Sequence, residues 1–146
     1  MSSVSAAVTR PDAARRVALP VGVTAVLAAA TAYTGIRNPH EPGFFPSCVF
    51  YSASGYYCPG CGGLRAVHDL VNGDLAGALQ MNPLVVLGVI PAGIFLIGWW
   101  LLSVTTDRVR PLHIPTWVGI AIPVALGAYW VVRNLEPFAP YLSPGG

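Results

Sequence analysis

Three stretches of the chain carry no charged side chain: Val17–Ile36, Pro83–Val104 and Ile114–Val132, of 20, 22 and 19 residues. A helix rises about 1.5 Å per residue and the hydrocarbon core is about 30 Å thick, so roughly 20 apolar residues are needed to cross it. All three runs meet that length. Each is bounded by a charge or a polar turn: Arg16 and Arg37, Asn82 and Asp107, His113 and Arg133. Pro20, Pro91 and Pro123 fall inside the runs. Membrane helices tolerate such kinks when neighbouring groups take up the freed carbonyl. Small residues recur at four-residue spacing, at Ala25/Ala29, Ala28/Ala32, Gly88/Ala92 and Ala121/Ala125, which permits close helix approach.

Residues 37–82, between the first two runs, have a different pattern. Asn38 to Cys48 is rich in proline and aromatic residues and predicts an irregular loop at the membrane surface. From Leu64 the period becomes helical, with Leu64, Val67, Leu70 and Val71 on one face and Arg65, His68 and Asp69 off it. Asn72-Gly73 stops that helix, Asp74 caps a second one over Leu75–Met81, and Asn82-Pro83 ends it. Both are too short to span and predict interfacial or re-entrant helices. The expected fold is therefore an all-α integral membrane protein of three spans plus one or two short helices. Residues 1–16 form a cytoplasmic tail ahead of a single membrane domain, 17–146.

Composition supports the membrane. Charged residues make up 10% of the chain and hydrophobic ones 54%, whereas a soluble domain carries about 25% charged residues. A net charge of +2 is too small to point to nucleic acid. The bilayer and other membrane proteins, or further copies of this chain, are the partners such a surface implies. All eight basic residues are arginine, a coding bias typical of high-GC bacterial genomes. With the N-terminus in the cytoplasm, Arg10, Arg15, Arg16, Arg108 and Arg110 fall inside and Arg37, Arg65 and Arg133 outside, the direction the positive-inside rule favours. Aromatic belts agree: Trp99, Trp100 and Trp117 fall at the inner interface, and Tyr33, Tyr129 and Trp130 at the outer one. The cysteine loop is then extracytoplasmic. A cleaved signal peptide is the competing reading of the first run, with Ala30-Thr31-Ala32 as its outline. The run exceeds the usual apolar region of about 7–15 residues, which favours a retained span. None of the three runs contains a charge, which counts against a transporter or channel acting alone.

The sequence Cys48…Cys58-Pro-Gly-Cys61-Gly…Arg65-Ala66, then Gly73-Asp74, then Asn82-Pro83-Leu84, resembles a bacterial membrane family filed as domain of unknown function 2752. The resemblance covers residues 48–84 and implies the same small helical membrane architecture, with no established activity. Leu64 stands where that family usually has Thr.

Three chemistries fit Cys58-x-x-Cys61 just before a helix. A structural disulfide suits an oxidising compartment, either within the pair or from Cys48 to one of them. A zinc knuckle would take Cys48, Cys58, Cys61 and His68 or His40 as a Cys3His set. Thiol–disulfide exchange would use a helix start to lower a thiol pKa. Arg65 and Asp69 stand at i,i+4 as a surface pair, and Arg65 near a membrane suits a lipid headgroup. Gly60, Gly62 and Gly63 make no phosphate loop, because no Lys-Ser/Thr follows. Three functions follow, and the sequence leaves open whether any of them is enzymatic. The first is a non-catalytic scaffold or accessory subunit with a structural cysteine loop. The second is a membrane thiol oxidoreductase, and the third a zinc-stabilised binding module.

Overall fold

The computed structural model describes residues 13–41, 43–106 and 112–142. Most of the proposed tail, together with Arg10, Asp107, Arg108 and Arg110, lies outside them, as do the side chains of Arg15 and Arg16. Among the described residues every regular element is helical. Seven helices run α1 Ala13–Ile36, α2 Val49–Ser54, α3 Gly63–Val71, α4 Leu75–Met81, α5 Ile90–Thr106, α6 Thr116–Asn134 and α7 Ala139–Leu142. A π-helical turn, Val85–Val89, leads directly into α5.

Three segments are long and apolar enough to cross a membrane: Val17–Ile36, Val85–Thr106 and Thr116–Asn134, with mean hydropathies of 1.7, 2.3 and 1.4. Little of their surface is buried within the chain, as expected of helices whose solvent is lipid. Ala25, Ala28, Ala29, Ala32 and Ala125 all lie on exposed faces, so those small-residue spacings are not spent on contacts inside the chain.

The interior of the protein lies instead in a cap at one end, where α1 and α6 finish and α5 begins. Ala66 of α3, Ala78 of α4 and Val86 of the π-helical turn form its buried core, with Leu70, Leu79 and Met81 packed around them. Alanines at the α3–α4 crossing let the two short helices approach closely. Leu64 and Val71, placed by periodicity on the apolar face of α3, are about half exposed, at 50% and 53%. The face that packs is set by Ala66 and Leu70. The outward aliphatic side is what an interfacial helix offers to lipid.

Polar side chains fasten the cap to α1. The carbonyls of a helix's last turn lack intrahelical donors. His68 Nδ1 meets the carbonyl of Thr34 at 2.8 Å, and Asn72 Nδ2 donates to that of Gly35 at 3.3 Å. A Cβ on Gly35 would stand 3.1 Å from Val71 Cγ1, a tight contact that the valine would have to yield slightly to admit. Asp74 caps α4, its carboxylate accepting from the Gly77 N–H at 2.8 Å.

Two helices lie outside the periodic pattern. In α2 the six residues are too few to show a period, and the helix is closed by Gly55 at φ 75°, whose N–H returns to the Tyr51 carbonyl. The π-helical turn follows Asn82, whose Oδ1 accepts from the Val85 N–H while its own carbonyl accepts from Val86. A side chain inserted at a helix start diverts the ordinary ladder.

Candidate metal centre

Cys58-Pro59-Gly60-Cys61 folds as a tight turn, with the Cys61 N–H donating to the Cys58 carbonyl at 3.1 Å and Gly63 to Gly60 at 2.9 Å. Gly62 then enters α3 at φ 75°, a left-handed conformation that a side chain would strain. The turn places the two thiols side by side, Sγ to Sγ 3.0 Å, and the Cys58 N–H points at Cys61 Sγ at 3.2 Å. Cys48, the residue before α2, brings its Sγ to 3.7 Å from that of Cys58. All three sulfurs lie within 4.8 Å of one another, and the three cysteines are unbridged.

The turn is held from behind by two buried side chains. Asn82, fully buried, donates from Nδ2 to the carbonyls of Pro59 at 2.9 Å and Cys61 at 3.0 Å. Arg133, in the last turn of α6 and also fully buried, donates to the carbonyls of Cys61 at 2.8 Å, Met81 at 3.0 Å, Pro59 at 3.3 Å and Cys58 at 3.5 Å. Its guanidinium sits between the rings of Tyr57 and Tyr129, 6.0 and 5.8 Å from their centroids. Asn134 adds a reciprocal pair with the Tyr57 backbone, at 2.8 and 2.9 Å.

This placement adds to two sequence expectations. Arg133, read as the polar boundary of the third run, lies in the last turn of α6 and is buried. Tyr129, read as part of an aromatic belt, also donates its hydroxyl to Asn82 Oδ1 at 3.3 Å. Asn82, read only as a helix stop, gives its Nδ2 to the cysteine turn and takes the Val85 N–H and the Tyr129 hydroxyl on its Oδ1.

The thiols differ electrostatically. The Tyr51 N–H at the start of α2, aided by the neighbouring thiols, holds the Cys48 thiol below its ordinary pKa despite partial desolvation. Burial, with the hydrogen bonds to Cys58 and Cys48, pushes Cys61 up to about 12.

The remaining sequence candidates stand elsewhere. His68, at the other end of α3, has its Nδ1 at the Thr34 carbonyl and is not in the sulfur cluster. His40 holds Asp69 through Nε2 at 2.8 Å, and its ring meets that of His68 edge-on at 6.0 Å. Arg65 Nε donates to the Pro39 carbonyl at 3.2 Å. Asp74 is committed to its cap. The structure thus converges Cys48, Cys58 and Cys61 and leaves His68, Asp69 and Asp74 in the scaffold.

A zinc ion with Zn–S bonds of about 2.3 Å sets tetrahedral sulfurs about 3.8 Å apart. The Cys48–Cys58 spacing of 3.7 Å is close to that value, the Cys58–Cys61 pair at 3.0 Å is tighter, and the third pair lies within 4.8 Å. Arg133 offers a second indication. A buried cation is costly unless paired, and its hydrogen-bond partners among the described residues are all uncharged oxygens. Its Nε has no partner at all. Three thiolates around a divalent ion would sum to one negative charge, the sign this guanidinium would balance from behind the turn.

Residues 48–99 match the model of a family described as "Protein of unknown function (DUF2752)". No curated protein and no solved structure matches the chain.

Proposed function

We propose that this membrane protein is a metal-binding module, holding a soft ion of the zinc class on Cys48, Cys58 and Cys61. The observation that carries the reading is the convergence of three sulfurs on a turn whose carbonyls are fixed by Asn82 and Arg133. Thiolate ligands select zinc, copper(I) and iron–sulfur chemistry over hard cations. The ion would tie α2 and its preceding loop to the α3 turn and so set the outer surface of the cap. That surface, outside the cytoplasm with the N-terminus inside, would serve as a platform for other membrane proteins or further copies of this chain.

Thiol–disulfide exchange is the second reading, favoured by one observation: Cys48, whose pKa is lowered, lies beside the Cys58–Cys61 pair. Attack of its thiolate on a Cys58–Cys61 disulfide would form Cys48–Cys58 and release Cys61 as the leaving thiolate, which takes up a proton. The high pKa of Cys61 makes it a poor leaving group, and this ranks exchange below metal binding.

Native mass spectrometry of the detergent-purified protein, with metal analysis and thiol counting, separates them. The metal reading expects one ion per chain, no disulfide, and loss of the ion in Cys58→Ser. A metal-free chain with a readily reduced Cys58–Cys61 bridge would replace it with the exchange reading.

A further inference from the structure

The same three thiols form part of the wall of a cavity of about 690 Å³, which opens to the outside of the cap. Ligand pockets commonly span about 300–1,000 Å³, and this volume falls within that range. From this, and resting on the metal reading above, we infer that the ion keeps one coordination position facing the cavity, for a neutral heteroaromatic nitrogen donor of the imidazole class.

The ligand count comes first. A closed structural zinc site uses four protein ligands, whereas an open one has three and takes water or another molecule in the fourth position. The described residues bring three sulfurs together and no fourth donor of the His, Asp or Glu kind. Two histidines lie on the same side of the protein. His40 lines the cavity but spends Nε2 on Asp69, and His68 spends Nδ1 on Thr34. Those two contacts fasten the segment after α1 to α3, and neither ring belongs to the group gathered around the sulfurs.

Charge and shape select the donor. Glu41 and Arg65 on the cavity wall carry opposite charges, and the tris-thiolate complex and Arg133 together sum to zero, so a neutral fourth ligand adds no uncompensated charge to a partly dehydrated site. A thiolate or carboxylate would add one. The wall beside the sulfurs includes the rings of Phe45, Tyr51 and Tyr57, with Tyr51 and Tyr57 stacked at 4.6 Å. Flat apolar walls admit a flat ring more readily than a hydrated anion.

The test uses the full-length protein in detergent, loaded with cobalt(II), whose visible bands report coordination number and ligand type. Imidazole is then titrated in. The inference expects a saturable shift of the d–d bands, with the sulfur-to-cobalt charge-transfer bands retained. The His40→Ala/Glu41→Gln double variant loses the His40–Asp69 contact but should still show the saturable shift. Bands that stay fixed under excess imidazole overturn the inference and leave the metal reading standing, because the site is then closed by the protein. Bands that move only in the double variant overturn it too, by identifying His40 or Glu41 as the closing ligand. Failure to bind cobalt at all overturns the metal reading and this inference with it.

Discussion

Cys48 and Cys61 share one cluster yet differ in their chemistry: one thiol is drawn down by a backbone N–H, the other pushed up to about 12 by burial. The thiolate is the nucleophile, and its fraction falls tenfold for each pH unit below the pKa. In metal-free, reduced protein, iodoacetamide should therefore label Cys48 first. Cys61 labelling should stay slow at pH 8 and climb about tenfold per unit toward pH 12. Peptide mass spectrometry over a pH series checks this, and equal rates for the two thiols would refute it. The raised pKa of Cys61 also affects stability without metal. The folded thiol keeps its proton where an unfolded one loses it, so this contribution is full below about pH 9 and is lost as pH rises toward 12. The cysteines were legible in the sequence, because spacing and a following helix are local features. Arg133 and Asn82 were not. Each sits at the edge of an apolar run, where the same letters ordinarily mark a membrane boundary, and only tertiary folding turns them inward.

Among the helices, α6 shows how a spanning segment can be attached by its tip. Its main helical neighbour is the short α7, and its links to the cap come from Tyr129, Trp130, Arg133 and Asn134, all within its last two turns. Arg133→Met would keep the bulk and remove every donor, leaving the Met81 carbonyl without its guanidinium partner. Leaving buried acceptors unsatisfied costs about 1–3 kcal/mol each, so a loss of about 2–4 kcal/mol is expected in detergent unfolding followed by circular dichroism. Arg133→Lys should recover only part, since one ammonium cannot reproduce the two-pronged reach to Cys61 and Met81. An unchanged midpoint for both variants would show that the clamp contributes nothing. At this scale the long runs, α3 and α4 were readable from periodicity, caps and stops. The helix α2 was missed because six residues give too short a pattern, although Gly55 just beyond it was a stop signal in plain sight. The packed face of α3 was misjudged for a related reason: periodicity weighs large side chains, whereas close helix crossings are made by alanine.

For the whole molecule, the cap gathers the end of α1, the start of α5 and the end of α6, as three successive crossings require. If the N-terminus is cytoplasmic, Cys48 faces away from the cytoplasm. A membrane-impermeant maleimide added to intact cells, after metal removal, should then label Cys48 without permeabilisation. Labelling that requires permeabilised cells would invert the orientation. The clamp on the cysteine turn joins residues 72 positions apart, Cys61 and Arg133. A ribosome delivers the first of these long before the second. The turn therefore emerges, and meets whatever oxidants and ions surround it, while its rear support is still being translated. Only insertion of the last span completes the cradle, so a chain interrupted before residue 133 would hold its cysteine turn through Asn82 without the guanidinium behind it. Cysteine reactivity in this protein thus doubles as a record of whether synthesis ran to the end.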